Sequence, residues 1–282
     1  MGKIVRDLVE DTFVKKNTNI YELSILMGVD SFDFMVVDSR QHLQAIRSYA
    51  VGPQIIAQPS VLKSLVQGDS LLTQPYRTVR AGWISGKSTL VPQRLYNEQK
   101  KASYLEQSTE VVSDDLVLSD ALSGFGVQNV YAMPRELEGF ARESFPGCRL
   151  FHISSALLEG IRKLGTPREG PQVYAHLRDG WLFIMAFKDK DLLLSNAYPY
   201  QSAKDFIYFL LLAYQQLGFK PATDPAYLSG HLLKDSEIYR EVFRYIRHFH
   251  FAEPPAFFHL GPKINAEPRH FYFDLLGLSL CG

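Results

Sequence analysis

The chain of 282 residues is poor in the features that mark several large protein classes. It has 2 cysteines, Cys148 and Cys281, placed far apart. Neither the close pairs of a zinc site nor a disulfide framework is available, so both thiols are expected to be free in a reducing cytoplasm. Long hydrophobic runs are missing too. The longest, Phe206 to Tyr214, falls well short of the roughly 20 residues that span a bilayer. The opening Met1-Gly-Lys-Ile-Val-Arg-Asp mixes charge with apolar residues and does not resemble an export signal. A cytoplasmic protein without membrane insertion is therefore expected. Charge of one sign is also lacking: 30 Lys+Arg stand against 30 Asp+Glu, and nucleic-acid binders normally show a basic excess. No G-x-S-x-G, H-E-x-x-H or G-x-G-x-x-G occurs, which removes the usual sequence warrants for an enzyme.

What is present is ordinary core material. With 46% hydrophobic, 13% aromatic and 21% charged residues, the chain can bury a sizeable core. At roughly 150 residues per domain its length gives about two domains, or one large one.

Leu23 to Val29 reads as a strand, Asp30-Ser31 as a tight turn, Phe32 to Val37 as an apolar strand and His42 to Tyr49 as a third. Pro59-Ser60 then opens a helix with Val61, Leu62, Leu65 and Val66 on one face. The order returns later. Val173 to Arg178, the hairpin dipeptide Asp179-Gly180, Trp181 to Phe187, a turn at Lys188 to Asp191, and Leu192 to Tyr198 form a second meander, again followed by a helix, Ser202 to Leu217. At one constant offset Asp30 falls on Asp179, Phe34 on Phe183, Leu43 on Leu192 and Tyr49 on Tyr198. The shared order of elements suggests one fold used twice.

Between the meanders strands and helices alternate: Tyr76 to Ser85, Thr89 to Val91, Asn129 to Met133 and Arg149 to Ile153 as strands, with helices opening at Pro92 and Pro134 and from Ser154 to Lys163. Gly165 to Pro171 holds two glycines and two prolines and reads as a linker. It divides the chain into residues 1–168 and 169–282. The second half closes with a strand at Ala226 to Leu228, a helix from Ser236 to Arg247 and apolar segments to Leu280.

Three other patterns invite a functional reading. Ala81 to Ser88 (AGWISGKS) fits a relaxed phosphate loop, but strand-like Thr89-Leu-Val91 and Pro92 follow where a helix is required, so Gly86-Lys87 is expected to be a turn. His248 and His250 share a face of an extended segment without a third metal ligand, which favours surface histidines with Phe249 and Phe251 turned inward. Arg240, Arg244 and Arg247 form a basic stripe that reads as a solvated helical face.

Two α/β halves, each opening on a meander and a helix, resemble the duplicated ribonuclease-H-like domains of the actin-like ATPase superfamily. LVPQRLY at 90–96, VYAMPRELEGF at 130–140 and FYFDLLGL at 271–278 are similar to a Bacteroidetes family known as a domain of unknown function. The resemblance implies an α/β, actin-like architecture with an interdomain cleft. In superfamily members that hydrolyse ATP, one hairpin turn per domain faces phosphate and Mg²⁺, and a glycine turn holds the adenosine. The matching positions are Asp30 and Ser31, Asp179 and Gly180, and Ser229 and Gly230. The hairpins lack the extra glycines that let phosphate approach backbone N–H groups, and a single glycine stands at the third position. The expectation is a non-catalytic cytoplasmic interaction protein that has lost ATP hydrolysis and presents a surface to a protein partner. The alternative is an ATP- and Mg²⁺-binding protein using those residues. Nuclease chemistry would need clustered carboxylates holding two metals, which the meanders do not supply.

Overall fold

The computed structural model describes residues 2–52, 59–164 and 169–282. Most of the expected linker, with the 168/169 boundary, therefore lies outside the described residues. Strands β1 (Lys3–Val9), β2 (Glu22–Met27), β3 (Ser31–Val37) and β4 (His42–Ala50) lead into α1 (Pro59–Gly68) and β5 (Thr78–Trp83). Next come β6 (Ser88–Pro92), α2 (Lys101–Glu106), β7 (Asp115–Leu122), β8 (Val127–Pro134), α3 (Arg135–Ser144), β9 (Arg149–His152) and α4 (Ile153–Arg162). The second half runs through β10 (Pro171–Arg178), β11 (Trp181–Lys188), β12 (Asp191–Pro199), α5 (Ala203–Leu217), β13 (Ala226–Gly230), α6 (Glu237–Tyr245), β14 (Phe249–Phe251), β15 (His259–Leu260) and α7 (Phe273–Ser279).

The first sheet has the order β1-β4-β3-β2-β5-β9, the second β12-β11-β10-β13-β14, and β6-β8-β7 make a small third sheet. In both large sheets an antiparallel meander is extended from its first strand by two parallel strands, β2 to β5 to β9 and β10 to β13 to β14. The repeated order of elements thus reappears as a repeated strand topology. The C-terminal segment returns to the first sheet: β15 pairs with β4, and α7 packs along α4.

Local chemistry explains the frame. Asp179 and Gly180 have φ of 47° and 74°, the pair of positive values that marks a type I′ hairpin turn and that Asp-Gly tolerates best. Ser202 and Asp205 form a reciprocal capping box at the start of α5, and Gly218, with φ 67°, ends it. Strand residues alternate between cores. Leu23, Ile25, Phe32 and Phe34 pack with α1 and α3 on one face of the first sheet, while Leu26, Met35 and Val37 join α4, α7, Phe183 and Phe187 in a core between the two large sheets. The strands are buried on both faces, which is why they read as near-continuous apolar runs.

Some elements differ from expectation. β1 and β7 are strands where none was expected. The first hairpin turn is centred on Val29-Asp30, closed by the Gly28 N–H donating to the Ser31 carbonyl at 2.9 Å, and Ser31 already begins β3. Pro92 ends β6 but starts only a 3-10 turn, Gln93–Leu95.

Candidate functional site

The two hairpin turns named by sequence meet. The Ser31 hydroxyl donates to the Asp179 carboxylate. A Cβ at Gly28 would collide with that carboxylate, so this glycine supplies space for a side chain from the other sheet. Asp30 is exposed and its carbonyl accepts from the Val51 N–H at 2.9 Å. Gly180 has open space at its Cα. Ser229 and Gly230 end β13 beside β10: Ser229 Oγ lies 2.8 Å from His176 Nδ1, and Gly230 (φ 87°) is pressed against the Leu177 backbone. The structure thus joins Ser31 to Asp179, places Ser229 one strand away and leaves Asp30 and Gly180 at the rim.

Beneath the turns lies a cluster that sequence reasoning missed. Arg178, the last residue of β10, is 2% exposed and pairs with Asp33 of β3. Its Nη1 is 3.2 Å from Asp274 of α7, and its Nε is 3.5 Å from Asp179. His176 Nε2 is 3.4 Å from the same Asp274 oxygen. Asp33 and Asp274 are 3% and 0% exposed, so one guanidinium ties both sheets and α7 together in a space without bulk water. Burial of Asp274 alone would raise its pKa, but Arg178 and His176 outweigh it and hold the carboxyl below the usual carboxylate range. At Asp33 and Asp179 burial wins over Arg178 and both are raised. The signal was present in the sequence as single charges inside apolar runs, Asp33 in SFDFMVV and Asp274 in FYFDLLGL.

A second buried network lies at β7, β9 and α4. Asp120 accepts from the His152 backbone N–H at 2.8 Å and from Ser155 Oγ at 2.6 Å, and burial pushes its pKa up to about 7. The Ser85 hydroxyl is 3.2 Å from His152 Nε2, which places a serine, a histidine and an aspartate close together. They do not form a nucleophilic triad. The Ser154 N–H donates to His152 Nδ1 at 3.2 Å, and Nε2 is 3.0 Å from the Ser85 carbonyl. The proton therefore sits on Nε2, which cannot take another from the Ser85 hydroxyl. Burial depresses the His152 pKa to about 3.

A crevice of about 610 Å³ opens beside the turns, bounded by Val29, Trp83, the Ser85–Ser88 connection, Asp115 and Trp181. Lys87 at its mouth pairs with Asp115 at 2.8 Å. The phosphate-loop-like segment is thus a link between β5 and β6, and Trp181 packs over Gly86 where a Cβ would clash. His250 is exposed on β14 while Phe249 and Phe251 pack on the core that the second sheet forms with α5 and Val242 of α6, and Arg240, Arg244 and Arg247 are exposed. Among the described residues no group of three His, Cys, Asp or Glu side chains could hold a metal ion, and no helix is long and apolar enough to cross a membrane.

Two meander-led sheets meeting at their first hairpins, with α4 and α7 between them, define an actin-like ATPase fold. The chain belongs to the family described as "Protein of unknown function (DUF3822)", whose model matches residues 10–249. A Bacteroides thetaiotaomicron protein with an actin-like ATPase fold and unknown function superimposes with a TM-score of 0.80 at 21% identity, covering 96% of this chain and 100% of that one. The PilM-PilN type IV pilus biogenesis complex contains a chain similar in fold, with TM-score 0.56, 16% identity and coverage of 93% and 98%. No curated protein matches the chain.

Proposed function

We propose that this protein is a non-catalytic member of the actin-like fold, a cytoplasmic interaction protein whose frame no longer hydrolyses ATP and serves a protein partner. One observation carries the reading: the Asp179 carboxylate is seated in the β2–β3 turn against Gly28 and Ser31. An Mg²⁺-nucleotide does not fit the residues there. Its phosphates would have to displace Asp179 and would meet the buried Asp33 and Asp274 carboxylates, which Arg178 already engages. A similar structure, that of PilM with PilN, is named for a protein complex and supports a protein partner for such a frame.

The nucleotide reading keeps one point in its favour, the crevice of about 610 Å³ with Lys87 and Ser85 in its wall. Thermal unfolding with and without millimolar Mg·ATP, together with a phosphate-release assay, separates the two. The interaction reading expects an unchanged midpoint and no release above buffer. A midpoint raised by several degrees, as mass action gives for a ligand at 100-fold its Kd, supports nucleotide binding instead.

A further inference from the structure

Charges at the contact between the sheets do not balance. Three carboxyls, those of buried Asp33 and Asp274 and of partly buried Asp179, surround the single guanidinium of Arg178. We propose that this cluster retains one carboxyl proton at neutral pH, on Asp33 or Asp179, and that the contact between the two hairpins is a latch that loosens when the proton leaves. The inference concerns the contact alone and is independent of whether a protein partner or a nucleotide is the ligand.

Among the described residues, the surroundings offer no second permanent counter-charge. From the β2–β3 turn come exposed Asp30, a further negative charge, and the Ser31 hydroxyl. From β4 comes the Ser48 hydroxyl, bonded to Asp33. β10 supplies Arg178 and His176, and the imidazole lies between Ser229 Oγ and Asp274. His231, after β13, has Nε2 3.5 Å from Arg178 Nη1 and also acts on Asp274, but burial and Arg178 hold its pKa down at about 3, so it brings no charge at neutral pH. Tyr200, beyond β12, feels Asp179 from within a partly buried phenol. Tyr272, preceding α7, keeps a buried hydroxyl without a hydrogen-bond partner. Arg6 of β1 lies over the Phe271 and Tyr272 rings at 5.6 Å and pairs with Glu267 at 3.5 Å. Three carboxyls thus face one permanent cation in a space largely closed to water. Losing a proton into such a site is opposed by burial and by the neighbouring carboxylates. The raised positions of Asp33 and Asp179 follow the same cause, with burial the larger part.

The sign follows from linkage. A carboxyl raised in the folded state holds a proton that the unfolded chain releases near pH 4, so its contribution is complete below that pH and is lost as pH rises through the folded value. Asp179→Asn keeps an oxygen to accept from Ser31 and removes the titration. Unfolding midpoints of the full chain and this variant, measured from about pH 5.5 to 9, should diverge. The variant gains at least about 3 °C relative to wild type across that range, the scale set by one pKa unit. A difference constant in pH overturns the proposal. Infrared spectra give a second reading that does not need this variant to fold. In Asp120→Asn, which removes the other raised carboxyl, a protonated carboxylic-acid band should persist near pH 6.5 and vanish near pH 9. Its absence near pH 6.5 overturns the proposal equally.

Discussion

Replacing Arg178 by methionine tests the buried cluster most severely. Methionine preserves much of the side-chain length and apolar volume, so the change is chiefly loss of charge. Arg178 stands within 3.2 Å of Asp274 and within 3.5 Å of Asp179, and it also pairs with Asp33. Removing one partner of a buried ion pair costs about 3–5 kcal/mol, because the remaining charge is left without compensation. For a chain of this size that is a fall of about 10 °C in unfolding midpoint. The deficit should depend on pH in a definite direction. Without Arg178 all three carboxyls are raised in the folded state, so the variant is most stable where they are protonated and worsens as pH rises from about 5 to 8. Chemical denaturation at both pH values, with Arg178→Met and Arg178→Met/Asp33→Asn, reads the effect. The double variant should recover part of the loss, because neutralising Asp33 removes a stranded charge. A single variant within 1 kcal/mol of wild type, or a deficit equal at both pH values, would refute the reasoning.

Two further predictions concern the frame. Gly277 of α7 faces the Ala156 carbonyl of α4 so closely that a Cβ would overlap it. Gly277→Ala should destabilise by about 1–3 kcal/mol in urea unfolding, whereas exposed Gly139→Ala, with open space around it, should not. Asp120, pushed up to about 7 by burial, is a cost that grows between roughly pH 4 and 7 and reaches about 4 kcal/mol at most. Asp120→Asn should therefore compare better with wild type at pH 8 than at pH 5, and the reverse order in denaturant midpoints would count against the assignment.

Much of the fold was legible because turn chemistry and strand burial agree. Asp179-Gly180 has one good hairpin solution, and the strands on either side are buried on both faces. β1 and β7 were not legible for opposite reasons. β1 is an edge strand whose Lys3, Ile4 and Val5 are exposed, so burial imposes no alternation on its sequence. In β7 Leu116, Val117 and Leu118 are consecutive and Asp120 is buried, which breaks the period of two. The site was half legible. The turns point to Ser31 and Asp179, but their bond to each other depends on how two sheets meet, which no local pattern encodes. Arg178, Asp33 and Asp274 come from three distant segments. Each is a lone charge in an apolar run, and charges of opposite sign in such runs are expected to find one another.

On the proposed reading, Asp179 holds the place that a phosphate would need. Titration of Mg·ATP into the folded protein in a calorimeter addresses that directly. The expected result is heat indistinguishable from dilution, with the Asp179–Ser31 contact intact. A saturable isotherm with a micromolar Kd, abolished by substitution at Ser31, would contradict it.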